Sequence, residues 1–169
     1  MKIIENEGNI LKSDAPLLCQ SVNCMGMIGG GISHQFISKE PKIVDDYISM
    51  FSSPSINGES LHVDVKREDL LGTVIFTKGD SNKTYASVFT QVYPNDCRVY
   101  NSVSYGAMKD GLKMIKGYAE HHKPYIDKIA IPKSFGGLCD KDWKPVMSII
   151  NDVFDNYNGT VEVWSYGKN

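Results

Sequence analysis

The sequence predicts a layered α/β fold in a single domain spanning residues 1–169. Three observations carry that reading. Short runs rich in Val, Ile, Phe, Tyr and Thr alternate with stretches of helical periodicity. Twice, a strand-like run enters a glycine loop that opens into a helical pattern. Neither an internal repeat nor a low-complexity segment interrupts the alternation.

Strands are expected over residues 1–4, 16–22, 72–77, 84–90, 128–131 and 160–165, and helices over 31–51, 99–121 and 142–157. Pro41 has no N–H and disfavours the helical conformation in the residue before it, so the first helical stretch should break at Glu40 and resume. In the second, Val103, Ala107, Met108, Leu112, Ile115 and Ala119 recur near the helical period and form one apolar face. Val146, Ile149, Ile150, Val153 and Phe154 do the same in the third, which Asp142 is placed to cap and Asn158-Gly159 to stop. Segment 52–68 is polar and aperiodic and reads as a surface excursion.

The composition narrows the partners. With 169 residues and a hydrophobic fraction of 41%, the chain needs no covalent staple to build a core. Cys19, Cys24, Cys97 and Cys139 form no C-x-x-C pair and read as reduced thiols. Residues 1–9 hold no apolar signal core and no run is long enough to span a bilayer, so a cytoplasmic protein without a membrane partner is expected. The formal net charge of -2 supplies no general attraction for nucleic acid. An anionic ligand must then be held by backbone amides and local dipoles. No spacing suggests zinc. His121 and His122 are adjacent and diverge by about 100° on a helix, so no metal is expected.

The first loop runs Asn23-Cys24-Met25-Gly26-Met27-Ile28-Gly29-Gly30-Gly31-Ile32 after the strand at 16–22. Glycines let backbone approach a ligand closely, and the first amides of the following helix point outward with the positive end of its dipole. The loop is not a Walker loop, since Gly31 is followed by Ile32 and Ser33 in place of Lys-Ser/Thr. It is not a dinucleotide fingerprint either, since His34 takes the third glycine position. A tight turn joining strand to helix remains the bland alternative. The second loop, Lys133-Ser134-Phe135-Gly136-Gly137-Leu138-Cys139-Asp140-Lys141, repeats the recipe after the strand at 128–131. Two such loops suggest a cleft for a phosphate-bearing ligand over the carboxyl ends of a sheet. Thr90 and Gln91 end a third strand and can reach the same edge, or can simply terminate it.

Residues 20–36, Phe89-Thr90-Gln91, residues 131–143 and Gly8-Asn9-Ile10-Leu11 together resemble, in family order, the ligand-binding segments of macro domains of a bacterial and phage-type branch. The resemblance implies a three-layer α/β/α fold with a mixed central sheet, no cofactor, and ADP-ribose or an ADP-ribosyl compound as partner of a monomer. It implies that Asn9 meets adenine, with Ile10 also binding the ligand, that Asn23 meets the distal ribose, and that Gly29, Gly30, Gly31 and Ile32 wrap that ribose and the diphosphate. Ser134, Phe135, Gly136, Gly137 and Leu138 then form the second phosphate loop, with Gln91 between.

Activity is less sharply implied. Macro domains include passive readers and hydrolases that remove ADP-ribose from macromolecules or phosphate from ADP-ribose 1''-phosphate. Ser33 stands where one hydrolase group has an aspartate, and Gln91 and Cys139 stand where another has lysine and aspartate. Close relatives in this branch often carry histidine at the place of Gln20. Asn23 and Asp140 are the candidate catalytic residues, positioning a water near the distal ribose. Asp140 as a turn former, Cys139 as a buried thiol, His34 as a solvent-facing residue, and Trp164 and Tyr166 as rim aromatics are the competing readings. The two function hypotheses are an ADP-ribosyl hydrolase and a non-catalytic binder.

Overall fold

The computed structural model describes residues 1–51, 55–56, 59–60, 66–94, 103–136 and 143–166. Strand β1 (Lys2–Glu7) leads through a short 3-10 turn (Ile10–Lys12) into β2 (Leu17–Asn23). Helices α1 (Ile32–Lys39) and α2 (Lys42–Ser49) follow, divided at Glu40-Pro41 as the proline requires. Within the 52–68 excursion, β3 (Ser55–Ile56) and β4 (Glu59–Ser60) pair antiparallel, which its aperiodic sequence does not signal. Then come β5 (Val74–Lys78), β6 (Thr84–Gln91), α3 (Tyr105–His121), β7 (Lys128–Pro132), α4 (Lys144–Phe154) and β8 (Thr160–Ser165).

Three boundaries differ from the sequence expectation for identifiable reasons. Strand β5 starts at Val74 because Gly72, at φ 83, turns the chain out of the preceding 3-10 segment. Helix α3 starts at Tyr105, not near 99. Ser104 caps it by accepting the Ala107 N–H, and Val103 is drawn into a bridge with Gln91. Trp143 occupies the N-cap of α4, with a proline in the first helical turn, where its missing N–H costs nothing. The expected cap Asp142 lies outside the described residues.

The main sheet has six strands in the order β1-β8-β7-β2-β6-β5. All neighbours run parallel except β5, which is antiparallel to β6. Side-chain alternation on the central strands separates two cores. Leu17 and Cys19 of β2, with Ala86 and Val88 of β6, pack under α3 and α4 beside Met108, Leu112, Ile115, Ile150 and Phe154. Leu18 of β2 and Tyr85 of β6 face the other way, against Phe36 of α1 and Ile43 of α2. Val22 and Phe89 meet Tyr47 of α2 on that same side. The result is helices, mixed sheet, helices. Gly111 lets α3 sit directly on the sheet: a Cβ there would stand 2.2 Å from Val88 Cγ1.

Candidate functional site

Because β2, β6, β7 and β8 are parallel, their carboxyl ends share one edge of the sheet. Pairing between β2 and β7 is confined to Leu17–Ile129 and Leu18–Ala130, so these strands diverge toward that edge. The loops leaving them bound a cleft with two compartments. One, of about 290 Å³, is lined by Gly8, Ile10, Gln35, Pro132, Trp164 and Tyr166. The other, of about 380 Å³, is lined by Ser21, Val22, Asn23, Gln91 and Pro94 and by the loop residues Met27 to Gly30 with Ser33. Gly31, Ile32 and Ser134 line both, so the two glycine loops meet across one continuous cleft.

The first loop is shaped by its glycines and held by Asn23. Gly26, Gly29 and Gly31 have φ of 75, 124 and 56, conformations that favour glycine. Asn23 Nδ2 donates to the Met27 carbonyl at 2.7 Å, and its Oδ1 accepts the Met25 N–H at 3.0 Å. From α2, the buried Tyr47 hydroxyl donates to the Asn23 carbonyl at 2.8 Å and lies 3.1 Å from Oδ1. Burial pushes the Tyr47 phenol up to about 12. Asn23 therefore organises the loop through its oxygen and one of its two amide N–H groups, and the remaining N–H is the group it can offer to a ligand.

Helix α1 begins at the cleft with Gly31 as its N-cap, so no side chain competes for the first-turn amides. No lysine or arginine lines either compartment among the described residues. An anion entering the cleft would meet the first-turn amides and the positive end of the α1 dipole. Beneath the loop a buried polar chain crosses the layer. Ser33 Oγ donates to Gln20 Oε1 at 2.8 Å, and Gln20 Nε2 donates to Ser87 Oγ at 2.9 Å. It ties the start of α1 to β2 and β6. Ser33 stands out in sequence only through the family resemblance, and Gln35 does not stand out as a cleft residue. The available signal is that both follow Ile32 within the first turns of the helix leaving the glycine loop.

The candidate residues divide as follows. Ile10, Asn23, Gly29, Gly30, Gly31, Ile32, Gln91 and Ser134 line the cleft. Gln91 is 8% exposed, and its buried Oε1 has no hydrogen-bond partner. Gly136 closes the 3-10 turn Lys133–Gly136 that follows β7. Phe135 supplies no side chain to the cleft: it is fully buried in the core under α3 and α4. Asn9 is not among the walls of either compartment, and its Oδ1 accepts the Leu11 N–H at 2.9 Å as a cap of the first 3-10 turn. His34 is exposed and lines neither compartment. Gly137, Leu138, Cys139 and Asp140 lie outside the described residues. Trp164 and Tyr166 form one wall of the smaller compartment. The indole N–H of Trp164 donates to Glu162 Oε2 at 2.9 Å, and the same oxygen accepts from Ser13 Oγ. Cys19 and Cys24 are buried free thiols, and burial pushes the Cys24 thiol up to about 11, against nucleophilic use. No grouping of His, Cys, Asp and Glu among the described residues could hold a metal. No helix among them is long and apolar enough to cross a membrane.

No protein-family model matches the chain. An ADP-ribose 1''-phosphate phosphatase of Saccharomyces cerevisiae (strain YJM789) is 26% identical over 168 residues, covering 92% of this chain and 94% of that protein. The macrodomain of Thermus aquaticus DarG superposes with a TM-score of 0.70 at 20% identity, covering 98% of each chain. Thermosipho africanus DarTG in complex with ADP-ribose superposes with a TM-score of 0.70 at 15% identity, covering 97% of this chain and 41% of that one.

Proposed function

The chain has the macrodomain fold, and from that premise we propose that it binds ADP-ribose and hydrolyses an ADP-ribosyl derivative, with ADP-ribose 1''-phosphate as the leading substrate and an ADP-ribosylated macromolecule as the other. The observation that carries the binding is the shared wall: Gly31, Ile32 and Ser134, from two loops distant in sequence, stand between an aromatic-walled compartment and a polar one. A nucleoside joined by a diphosphate to a second ribose has that layout, with the charge in the middle. The adenosine end lies against Trp164, Tyr166 and Ile10. The diphosphate lies on the amides at the start of α1 and of the second loop. The distal ribose enters the polar compartment beside Asn23 and Gln91.

The choice of reaction rests on the similarity to the yeast phosphatase over most of both chains. In this scheme Asn23 orients the distal ribose through its free N–H. Asp140, placed by sequence in the second loop, positions a water that adds to C1'' of the distal ribose and receives its proton as the bond to the phosphate or to the macromolecule breaks; the phosphate departs as its anion, and a macromolecular leaving group takes the proton back from Asp140. A second reading, a binder without turnover, is favoured by one observation: among the described residues lining the polar compartment, none is a carboxylate, histidine or lysine. In either reading the protein acts as a monomer in the cytoplasm and does not depend on nucleic acid for binding.

Calorimetry with ADP-ribose, followed by incubation with ADP-ribose 1''-phosphate and with ADP-ribosylated protein and DNA, separates these readings. Binding with release of phosphate or of ADP-ribose is the expected result. Binding without release supports the second reading, and no binding at millimolar ligand overturns both.

A further inference from the structure

We infer that Gln35, in the second turn of α1, is the residue that reads the base, accepting a hydrogen bond from the exocyclic amino group of adenine; the inference rests on the ADP-ribose reading of the cleft given above. Three observations converge on it. Gln35 lines the smaller compartment together with Ile10, Ile32, Pro132, Trp164 and Tyr166. Its Oε1 is buried without a hydrogen-bond partner. A buried acceptor left unmatched is costly, so a donor supplied by a ligand is the natural complement. Two polar groups of the neighbourhood are already engaged: Asn9 Oδ1 accepts from Leu11, and the Trp164 indole N–H is given to Glu162. The compartment then has aromatic and aliphatic walls and, in Gln35 Oε1, an acceptor left unmatched within the protein, which suits a flat heterocycle bearing an amino group that the Gln35 side chain turns to meet. A 6-oxo purine would instead bring a carbonyl oxygen against Oε1.

The test is a calorimetric comparison of ADP-ribose with its hypoxanthine counterpart, on the wild-type chain and on Gln35→Met and Gln35→Glu. Methionine keeps the length and helical preference of glutamine and removes the acceptor. Glutamate keeps an acceptor and has no N–H to present. The wild type is expected to prefer ADP-ribose by about tenfold, the scale of one well-placed hydrogen bond. In Gln35→Met that ratio collapses toward unity, because ADP-ribose loses affinity and the hypoxanthine compound does not. In Gln35→Glu the ratio is kept even as added charge weakens both ligands. An unchanged ratio in Gln35→Met, with ADP-ribose still bound, overturns the assignment and leaves the cleft reading intact. Preference of the wild type for the hypoxanthine compound overturns it as well. Failure of the wild type to bind either ligand overturns the cleft reading itself. Melting temperatures close to wild type for both variants tie these outcomes to the site and not to folding.

Discussion

Placing a carboxylate at Gly30 should remove ADP-ribose binding while leaving the fold intact. Gly30 lines the polar compartment, has no left-handed φ, and a Cβ built there meets nothing within 4 Å. Glutamate therefore fits without backbone strain, and the cost to stability should stay within about 0.5 kcal/mol. Its charge, however, enters the space the diphosphate and distal ribose are assigned. At about 5 Å from a phosphate carrying one negative charge, the repulsion is about 1–3 kcal/mol for effective dielectric constants between those of water and a protein surface. That corresponds to a loss of about 5- to 150-fold in affinity before any steric conflict is added. Gly30→Gln, equal in size and uncharged, isolates the electrostatic part and should lose less. Calorimetry with ADP-ribose in low and moderate salt, alongside urea unfolding, reads both effects. Undiminished affinity in Gly30→Glu, or equal losses in the Glu and Gln variants at low salt, would refute the reasoning that the loop amides face an anion.

Three further outcomes follow from the packing. Gly111→Ala forces a methyl group to within 2.2 Å of Val88 Cγ1 in the core, so urea unfolding should show a loss of about 1–3 kcal/mol or more. Tyr47→Phe removes the hydroxyl that holds Asn23, and should cost about 1–2 kcal/mol by the same assay while weakening ADP-ribose binding several-fold through a loosened first loop. Alkaline stability should fall in a defined window. Tyr47 and Tyr157 are raised to about 12 and Cys24 to about 11 by burial, so the folded chain holds protons that the unfolded chain releases earlier. Stability from these groups is full below about pH 8.5, the unfolded thiol value. It is lost as pH rises through the folded values, and unfolding midpoints measured between pH 8 and 12 should drop steadily.

The sequence made the layers legible where local chemistry acts alone. Pro41 breaks the helical run at the expected residue, and β2 and β6 show the Val, Phe and Tyr content of buried strands. The glycine loops announced the cleft because their composition reflects a requirement of the backbone. The remainder depends on contacts between distant residues. The face that Phe135 presents is decided by α3 and α4: its backbone lies in the second loop, as sequence placed it, while its side chain is spent on the core. The cap that Asn9 forms with Leu11 occupies one of the two acceptor sites of an oxygen that the family resemblance assigns to adenine, a contact local sequence does not announce. The start of α3 was displaced because Val103 continues the helical period of hydrophobicity yet pairs with Gln91 across the strand end. Gln20 and Ser33 are marked by the family resemblance and Ser87 by nothing in sequence, and that the three form one buried chain appears only when the sheet brings them together.

Amide hydrogen exchange with and without ADP-ribose tests the shared cleft most directly. The amides of Gly29 to Ile32 and those of Ser134 to Gly136 should slow together at saturating ligand, with smaller changes elsewhere at the carboxyl edge. Protection confined to one loop, or to neither, would contradict the claim that both grip a single diphosphate.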